Sequence, residues 1–167
     1  SKVVADATGN ASRFKQIYAE YAQAKDVTRR RMYLETMEEV LKGMERMLNQ
    51  PCGCFEQVSS SNYPNLLVLD LLRQSNRSNP EIETRANAML ASGYQQLAAY
   101  ECKNGGFDWW GRDPAHEGLT AYGILEFTDM AKVFNVDKKM IDRTVDWLYK
   151  RRDSKGGWTL NPNSLHG

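Results

Sequence analysis

The sequence predicts an all-α fold, an array of about six helices stacked as hairpins. Apolar residues recur at helical spacing along most of the 167 residues, whereas strand-like alternation is scarce. Two similar segments, KNGGFDWW at 103–110 and SKGGWTLN at 154–161, each follow a predicted helix and lie 51 residues apart. This period suits one helical hairpin per repeat, and such hairpins stack side by side into a curved or ring-like array with their loops at one end.

Helical periodicity and helix-ending residues define each predicted element in order. Asp26 is expected to cap the second helix, and Pro51 to follow its end, because the residue before a proline resists helical geometry. Pro64 is expected in the first turn of the third helix, where its missing N–H is harmless. The predicted helices cover residues 11–24, 27–48, 62–74, 80–102, 116–134 and 138–152, with loops at 104–114 and 154–167.

One face of the second predicted helix is apolar, and we expect it to pack against a core. Its members are Met32, Leu34, Met37, Val40, Leu41, Met44 and Leu48.

Composition excludes several classes of function. Lys and Arg number 22 against 21 Asp and Glu, a net charge of +1 that does not support a nucleic-acid binder. The three cysteines form no CxxC pair and there are only two histidines, so neither a metal nor another cofactor is expected. No apolar run approaches the roughly 18 residues that span a bilayer, and no signal peptide is visible.

The segment PCGCFEQVSS at 51–60 carries the one chemically suggestive spacing, a cysteine three residues before a glutamine. A tight turn can bring the Cys54 thiol to the Gln57 side chain. Attack of a thiolate on the amide would release ammonia and leave an internal thioester, helped by the high effective molarity of the turn. The alternative is a small packed cysteine beside a glutamine that caps a helix.

The segment GCFEQVSSSNYPN resembles the thioester region of the alpha-2-macroglobulin and complement family. The resemblance runs from about residue 43 to the chain end, through GYQQLAAYECKNGGFDWWGRDPAHEGLTAYGILEFTDMAKVF and VDWLYKRRDSKGGW. It implies a thioester between the Cys54 sulfur and the Gln57 side-chain carbonyl. It also implies an α/α toroid, of which about half is present, so the expected fold is an incomplete toroid.

The same resemblance implies covalent acyl transfer to target proteins, proteases among them, or to surface glycans. It implies an extracellular or periplasmic location, and a self-consuming acyl donor rather than an enzyme. His166, eight residues after Trp158, looks like the family histidine that attacks the thioester and directs the acyl group to hydroxyls. The alternative is that His166 is an exposed residue of a C-terminal tail.

The sequence gives less specific predictions for the other side chains near the motif. Cys52 departs from the family pattern and could compete for the acyl group by thiol exchange. His116 is expected to pack or hydrogen-bond at a helix start, and Cys102 to pack at a helix end. Four aromatic residues could shield the thioester from water, although core packing is the simpler role for each: Phe55, Tyr63, Trp109 and Trp110.

Residues 1–42 resemble the helical segment of band-7 (SPFH) membrane-scaffold proteins, which helps those proteins to assemble. The predicted domains are therefore a band-7-like segment at 1–42 and a partial thioester domain at 43–167, which suggests a chimaera. Half a toroid leaves apolar faces that the front helices or a second copy of the chain would cover. Two alternatives to the thioester function stay open: a helical assembly protein with an unreactive CxEQ loop, and a cysteine-dependent enzyme.

Overall fold

The computed structural model describes residues 8, 11–13, 15–16, 18–19, 25–75 and 79–158. Five helices have defined bounds there: α1 Lys25–Met47, α2 Phe55–Gln74, α3 Pro80–Ala99, α4 Glu117–Met130 and α5 Lys138–Lys150. The described residues between 8 and 19 are also helical, and the described part of the chain has two isolated β-bridges and no strand. The all-α prediction is confirmed.

The chain divides into two compact units, residues 1–43 and 44–167. In the first unit, Met32, Leu34 and Val40 are between 41% and 53% exposed. The prediction that these side chains face a core is therefore wrong, because helical spacing shows that one face is apolar without showing what covers it. Met44 and Leu48, which belong to the second unit, are buried as predicted.

The described part of the second unit contains two helical hairpins, α2 with α3 and α4 with α5. Gln96 near the end of α3 donates its side-chain N–H to the Pro51 carbonyl before α2, at 3.0 Å. Arg151 after α5 pairs with Glu117 at the start of α4, at 2.6 Å. Each pair of sequential helices is therefore antiparallel, as expected for the hairpins of an α/α toroid.

Aromatic residues from several elements form the centre of this unit. The Phe107 ring lies 5.1 Å from the Phe55 ring and 5.3 Å from the Phe127 ring, between centroids. All three side chains are at most 1% exposed. Gly123 permits this packing, because a Cβ there would lie 3.0 Å from the Phe55 ring. The core thus joins the loop after α3 to the first turn of α2 and to α4.

The predicted 51-residue repeat is present in the backbone. Glu101 pairs with Phe107 in one isolated bridge, and Arg152 pairs with Trp158 in the other. Gly105 and Gly156 occupy equivalent positions with φ values of 92° and 86°, in the left-handed region that favours glycine. The two Gly-Gly-aromatic segments therefore form similar turns, one after each hairpin, although only the first has a positive φ at its second glycine, Gly106.

The two turns differ in what covers their aromatic residue. Phe107 is fully buried, whereas Trp158 is 45% exposed. A groove of about 400 Å³ beside Trp158 is lined by Ile124, Val145, Leu148 and Tyr149, with Arg152 and Gly156. Within the described residues, the α4–α5 hairpin therefore has an apolar groove next to Trp158.

Helix bounds differ from the predicted ones mainly at α2. It begins at Phe55, not at Asn62, and Pro64 lies inside the helix instead of in its first turn. Burial of Phe55 favours the earlier start, and the helix continues through the proline. α1 begins at Lys25, so Asp26 lies within the helix and is not its cap. The other ends agree to within a few residues.

Candidate functional site

The CxEQ motif is the first turn of α2. Cys54 is the N-cap residue, with extended backbone angles of φ −76° and ψ 174°, and Gln57 is the third residue of the helix. The Cys54 backbone N–H donates to the Gln57 side-chain carbonyl oxygen, Oε1, at 3.1 Å. This is the spacing of a capping box with cysteine in place of serine or threonine. The structure therefore brings the acyl group of Gln57 next to Cys54.

Gly53 creates the space that the Gln57 side chain fills. Its φ is +103°, and a Cβ added at this position would lie 2.2 Å from Gln57 Oε1 and 3.0 Å from Gln57 Cδ. Any larger residue at 53 would meet both a strained backbone and the side chain of the motif. The glycine before Cys54 is thus needed for the approach of Gln57.

Three hydrogen bonds from neighbouring segments hold the motif loop. The Tyr100 hydroxyl donates to the Gly53 carbonyl at 2.6 Å. The first N–H groups of a helix have no partner within the helix, and that of Phe55 donates to the Trp109 carbonyl at 3.0 Å. The Gln96 side-chain N–H donates to the Pro51 carbonyl. The end of α3 and the first Gly-Gly turn therefore set the position of the motif.

Comparison with known proteins identifies the family of the chain. The family model described as the A-macroglobulin TED domain matches residues 30–166, which is more than four fifths of the chain. The chain belongs to this family. Two alleles of Thioester-containing protein 1 from Anopheles gambiae are each 30% identical to it over 118 residues, 70% of the chain. The match covers 9% of each relative's length.

The two partners of the CxEQ motif differ in exposure within this TED domain. The Cys54 side chain is half-buried, whereas Gln57 is exposed. Cys52 is also exposed, and no disulfide links the three cysteines. Gln57 is therefore open to solvent, and Cys54 is partly so.

Of the four aromatic residues named as possible shields, Phe55 is the one whose role the structure decides. Phe55 is fully buried in the core, so it anchors α2 rather than covering the motif. Trp110 is 59% exposed, and its ring meets the edge of the Tyr100 ring at 6.3 Å. The Tyr63 hydroxyl donates to Asp129 at 2.5 Å. For Phe55, core packing is the role that the structure gives.

Of the two histidines, the structure describes His116. His116 is the N-cap of α4, where its Nδ1 accepts from the Leu119 N–H at 3.3 Å and its ring lies 4.9 Å from Trp109. The predicted structural role of His116 is confirmed. His166 lies outside the described residues, so its role stays a prediction.

Cys102 is a buried thiol just after the end of α3. It is 4% exposed, and burial raises its pKa to about 12, assisted by the nearby charges of Asp113 and Asp108. The packed thiol predicted after the fourth helix is confirmed. Across residues 25–75 and 79–158, no group of three or more His, Cys, Asp or Glu is placed to hold a metal ion, and no helix is long and apolar enough to cross a membrane.

A buried polar cluster lies beneath the motif, and sequence reasoning missed it. Ser59 and Asn62 on α2 and Glu126 on α4 are all fully buried, and Asn62 Nδ2 donates to Glu126 Oε1 at 3.3 Å. Gly93 on α3 makes room, because a Cβ there would lie 2.2 Å from Asn62 Oδ1. The available signal was a glutamate at helical spacing from Gly123 and Met130, on the buried face of α4.

Proposed function

We propose that this chain is a thioester module that attaches covalently to nucleophiles on a target. The position of Cys54 and Gln57 in one helical turn carries the proposal, since Gln57 Oε1 lies 3.1 Å from the Cys54 nitrogen. Membership of the TED family supports it, and the mosquito relatives are named as thioester-containing proteins. The chain would act as a self-consuming acyl donor and not as an enzyme that turns over.

Formation of the bond is an intramolecular acyl transfer. The Cys54 sulfur attacks Gln57 Cδ, the C–S bond forms, the C–N bond breaks, and ammonia leaves with the thiol proton. The turn supplies the proximity, and Gly53 supplies the room for the side chain. The hydrogen bonds to the Gly53 and Pro51 carbonyls restrict the loop, which lowers the entropic cost of bringing the two groups together.

Release of the acyl group requires a nucleophile from the target. An amine or hydroxyl adds to Gln57 Cδ, the C–S bond breaks, and the Cys54 thiolate accepts the proton of the nucleophile. Where His166 first attacks, the intermediate is an acyl-imidazole and the free thiolate acts as the base for a hydroxyl. Surface glycans and target proteins, proteases among them, are the acceptors that this chemistry suits. These acceptors imply an extracellular or periplasmic site of action.

Covalent labelling with a fluorescent primary amine tests the proposal. The amine should attach to Gln57 in the unreduced protein, and Cys54→Ala should abolish the attachment because the amide alone is not an acyl donor for amines. Cys52→Ser is the matched control, a second exposed thiol two residues away that should leave labelling in place. Equal labelling of the wild type and Cys54→Ala, or none in either, would exclude the thioester.

The same assay tests His166 when glycerol competes with methylamine. His166→Ala should shift the product from glycerol ester toward methylamide, because direct attack on the thioester favours amines. An unchanged ratio of the two products would remove the assigned role of His166.

One observation favours the alternative of a structural CxEQ loop. The hydrogen bond from the Cys54 N–H to Gln57 Oε1 satisfies a donor at the helix start, as an ordinary capping box does. A chain that folds normally and never loses ammonia would support this alternative, in which the motif only begins α2.

A further inference from the structure

The buried cluster between α2 and α4 leaves an unusual set of oxygen atoms without partners. Asn62 donates to one oxygen of the Glu126 carboxyl, at 3.3 Å. The remaining oxygens, Asn62 Oδ1, Glu126 Oε2 and Ser59 Oγ, are buried and have no hydrogen-bond partner. The Ser59 hydroxyl lies near enough to the carboxyl to affect it electrostatically, but it makes no hydrogen bond of good geometry. Buried polar atoms of this kind normally find a partner.

Protonation of the carboxyl supplies the missing donor. An ionised carboxylate only accepts, so Glu126 Oε2 and Asn62 Oδ1 would be two acceptors with nothing between them. A neutral carboxyl gains one O–H. It can then form a reciprocal pair with the amide, in which Nδ2–H donates to Oε1 and Oε2–H donates to Oδ1. One proton therefore satisfies two buried oxygens and removes a charge from the core.

We propose that Glu126 carries a proton in the folded protein at mildly acidic pH and forms this reciprocal pair with Asn62, so that proton binding couples α2, the helix that begins with the CxEQ motif, to α4. The hydrogen-bonded pair between these two helices weakens when the Glu126 carboxyl loses its proton. The coupling is a property of the fold, and it holds whether or not the thioester forms.

The electrostatic surroundings support this assignment. Burial raises the pKa of Glu126 from its ordinary 4.5 to about 7, although contacts with Ser59 and Asn62 partly offset the rise. The titratable groups around it are the phenols of Tyr63 on α2 and Tyr122 on α4. The pKa of Tyr63 is raised to about 12, mainly by its hydrogen bond to Asp129, and burial raises that of Tyr122. Both phenols stay neutral while Glu126 titrates.

The sign of the pH effect follows from the raised pKa. Since the folded protein holds the proton more tightly than the unfolded chain, the contribution of Glu126 is fully present below about pH 4.5 and is lost as the pH rises through about 7. The folding equilibrium constant should therefore fall on the order of 50-fold between about pH 5 and pH 8 through this group alone.

Denaturant unfolding of the full chain across this pH range tests the proposal. Glu126→Gln keeps both hydrogen bonds of the pair, because the new amide donates to Asn62 Oδ1, and it cannot titrate. The variant should lack the fall in stability that the wild type shows toward pH 8. Glu39→Gln, at an exposed position on α1, is the matched control and should retain the wild-type pH profile. Parallel profiles for the wild type and Glu126→Gln would overturn the proposal.

A measurement on the wild type alone covers the case in which the variant does not fold. With ¹³C-labelled glutamate side chains, one carboxyl carbon should titrate near pH 7. The absence of any glutamate carbon that titrates above about pH 6 would overturn the proposal.

Discussion

At the scale of single residues, the candidate site depends on a glycine as much as on its two reactive partners. Gly53 gives the backbone its positive φ and leaves room for the Gln57 side-chain carbonyl to reach Cys54. Its carbonyl is in turn held by the Tyr100 hydroxyl. The contact between the Gln57 side chain and the Cys54 backbone therefore depends on the loop as well as on the cysteine–glutamine spacing.

Replacing this glycine should damage the site more than the same change elsewhere. Gly53→Ala introduces a Cβ within 2.2 Å of Gln57 Oε1 in addition to backbone strain, and we expect it to destabilise the protein by about 1–3 kcal/mol and to abolish amine labelling. Gly156→Ala is the matched control. It has a φ of +86° but nothing within 4 Å of an added Cβ, so only strain applies. Denaturant unfolding and labelling measure both effects. Equal losses in the two variants would contradict the steric role.

The sequence predicts some residues of this site and not others. Cys54 and Gln57 are predicted from the thiol–amide spacing together with the family resemblance of the segment around them, neither of which needs tertiary information, and their reaction stays a prediction. The buried position of Glu126 could not be predicted from the sequence, because a glutamate in an amphipathic helix normally lies on the solvated face. Its burial depends on Asn62 and on the open space at Gly93, which come from two other helices.

At the scale of elements, α2 shows where local signals mislead. Pro64 is usual in a first turn, which suggests a helix that begins near Asn62. The helix instead begins at Phe55, whose ring is buried against Phe107 and whose N–H is bonded to the Trp109 carbonyl. Tertiary packing thus fixes the start of α2 and places the motif within its first turn. The Gly-Gly repeat, by contrast, was predictable because glycines at a positive φ leave a signature in the sequence.

The aromatic residues of the two Gly-Gly turns differ in burial, and substituting each of them tests that difference. Phe107→Ala removes a fully buried ring in contact with Phe55 and Phe127 and should cost about 3–5 kcal/mol in the free energy of unfolding. Trp158→Ala, at the equivalent position but 45% exposed, should cost no more than about 1 kcal/mol. Chemical denaturation measures the difference. Similar costs would mean that Trp158 is covered in solution.

At the scale of the whole molecule, the family match and the compact units divide the chain differently. The TED match begins at residue 30, inside α1, whereas the second compact unit begins at residue 44. The resemblance of residues 1–42 to band-7 proteins, and the domain boundary drawn from it, stay predictions. Helical phase runs through residues 42 and 43 without a break, so periodicity alone cannot mark a boundary there.

The intact mass of freshly purified, unreduced protein tests the central claim most directly. A thioester between Cys54 and Gln57 makes the chain lighter by one ammonia, and Cys54→Ala should show the full mass expected for its own sequence. Methylamine should raise the wild-type mass by one methylamine and expose one further thiol to titration. Full sequence mass, with the Cys52 and Cys54 thiols both titrating before methylamine is added, would contradict the account.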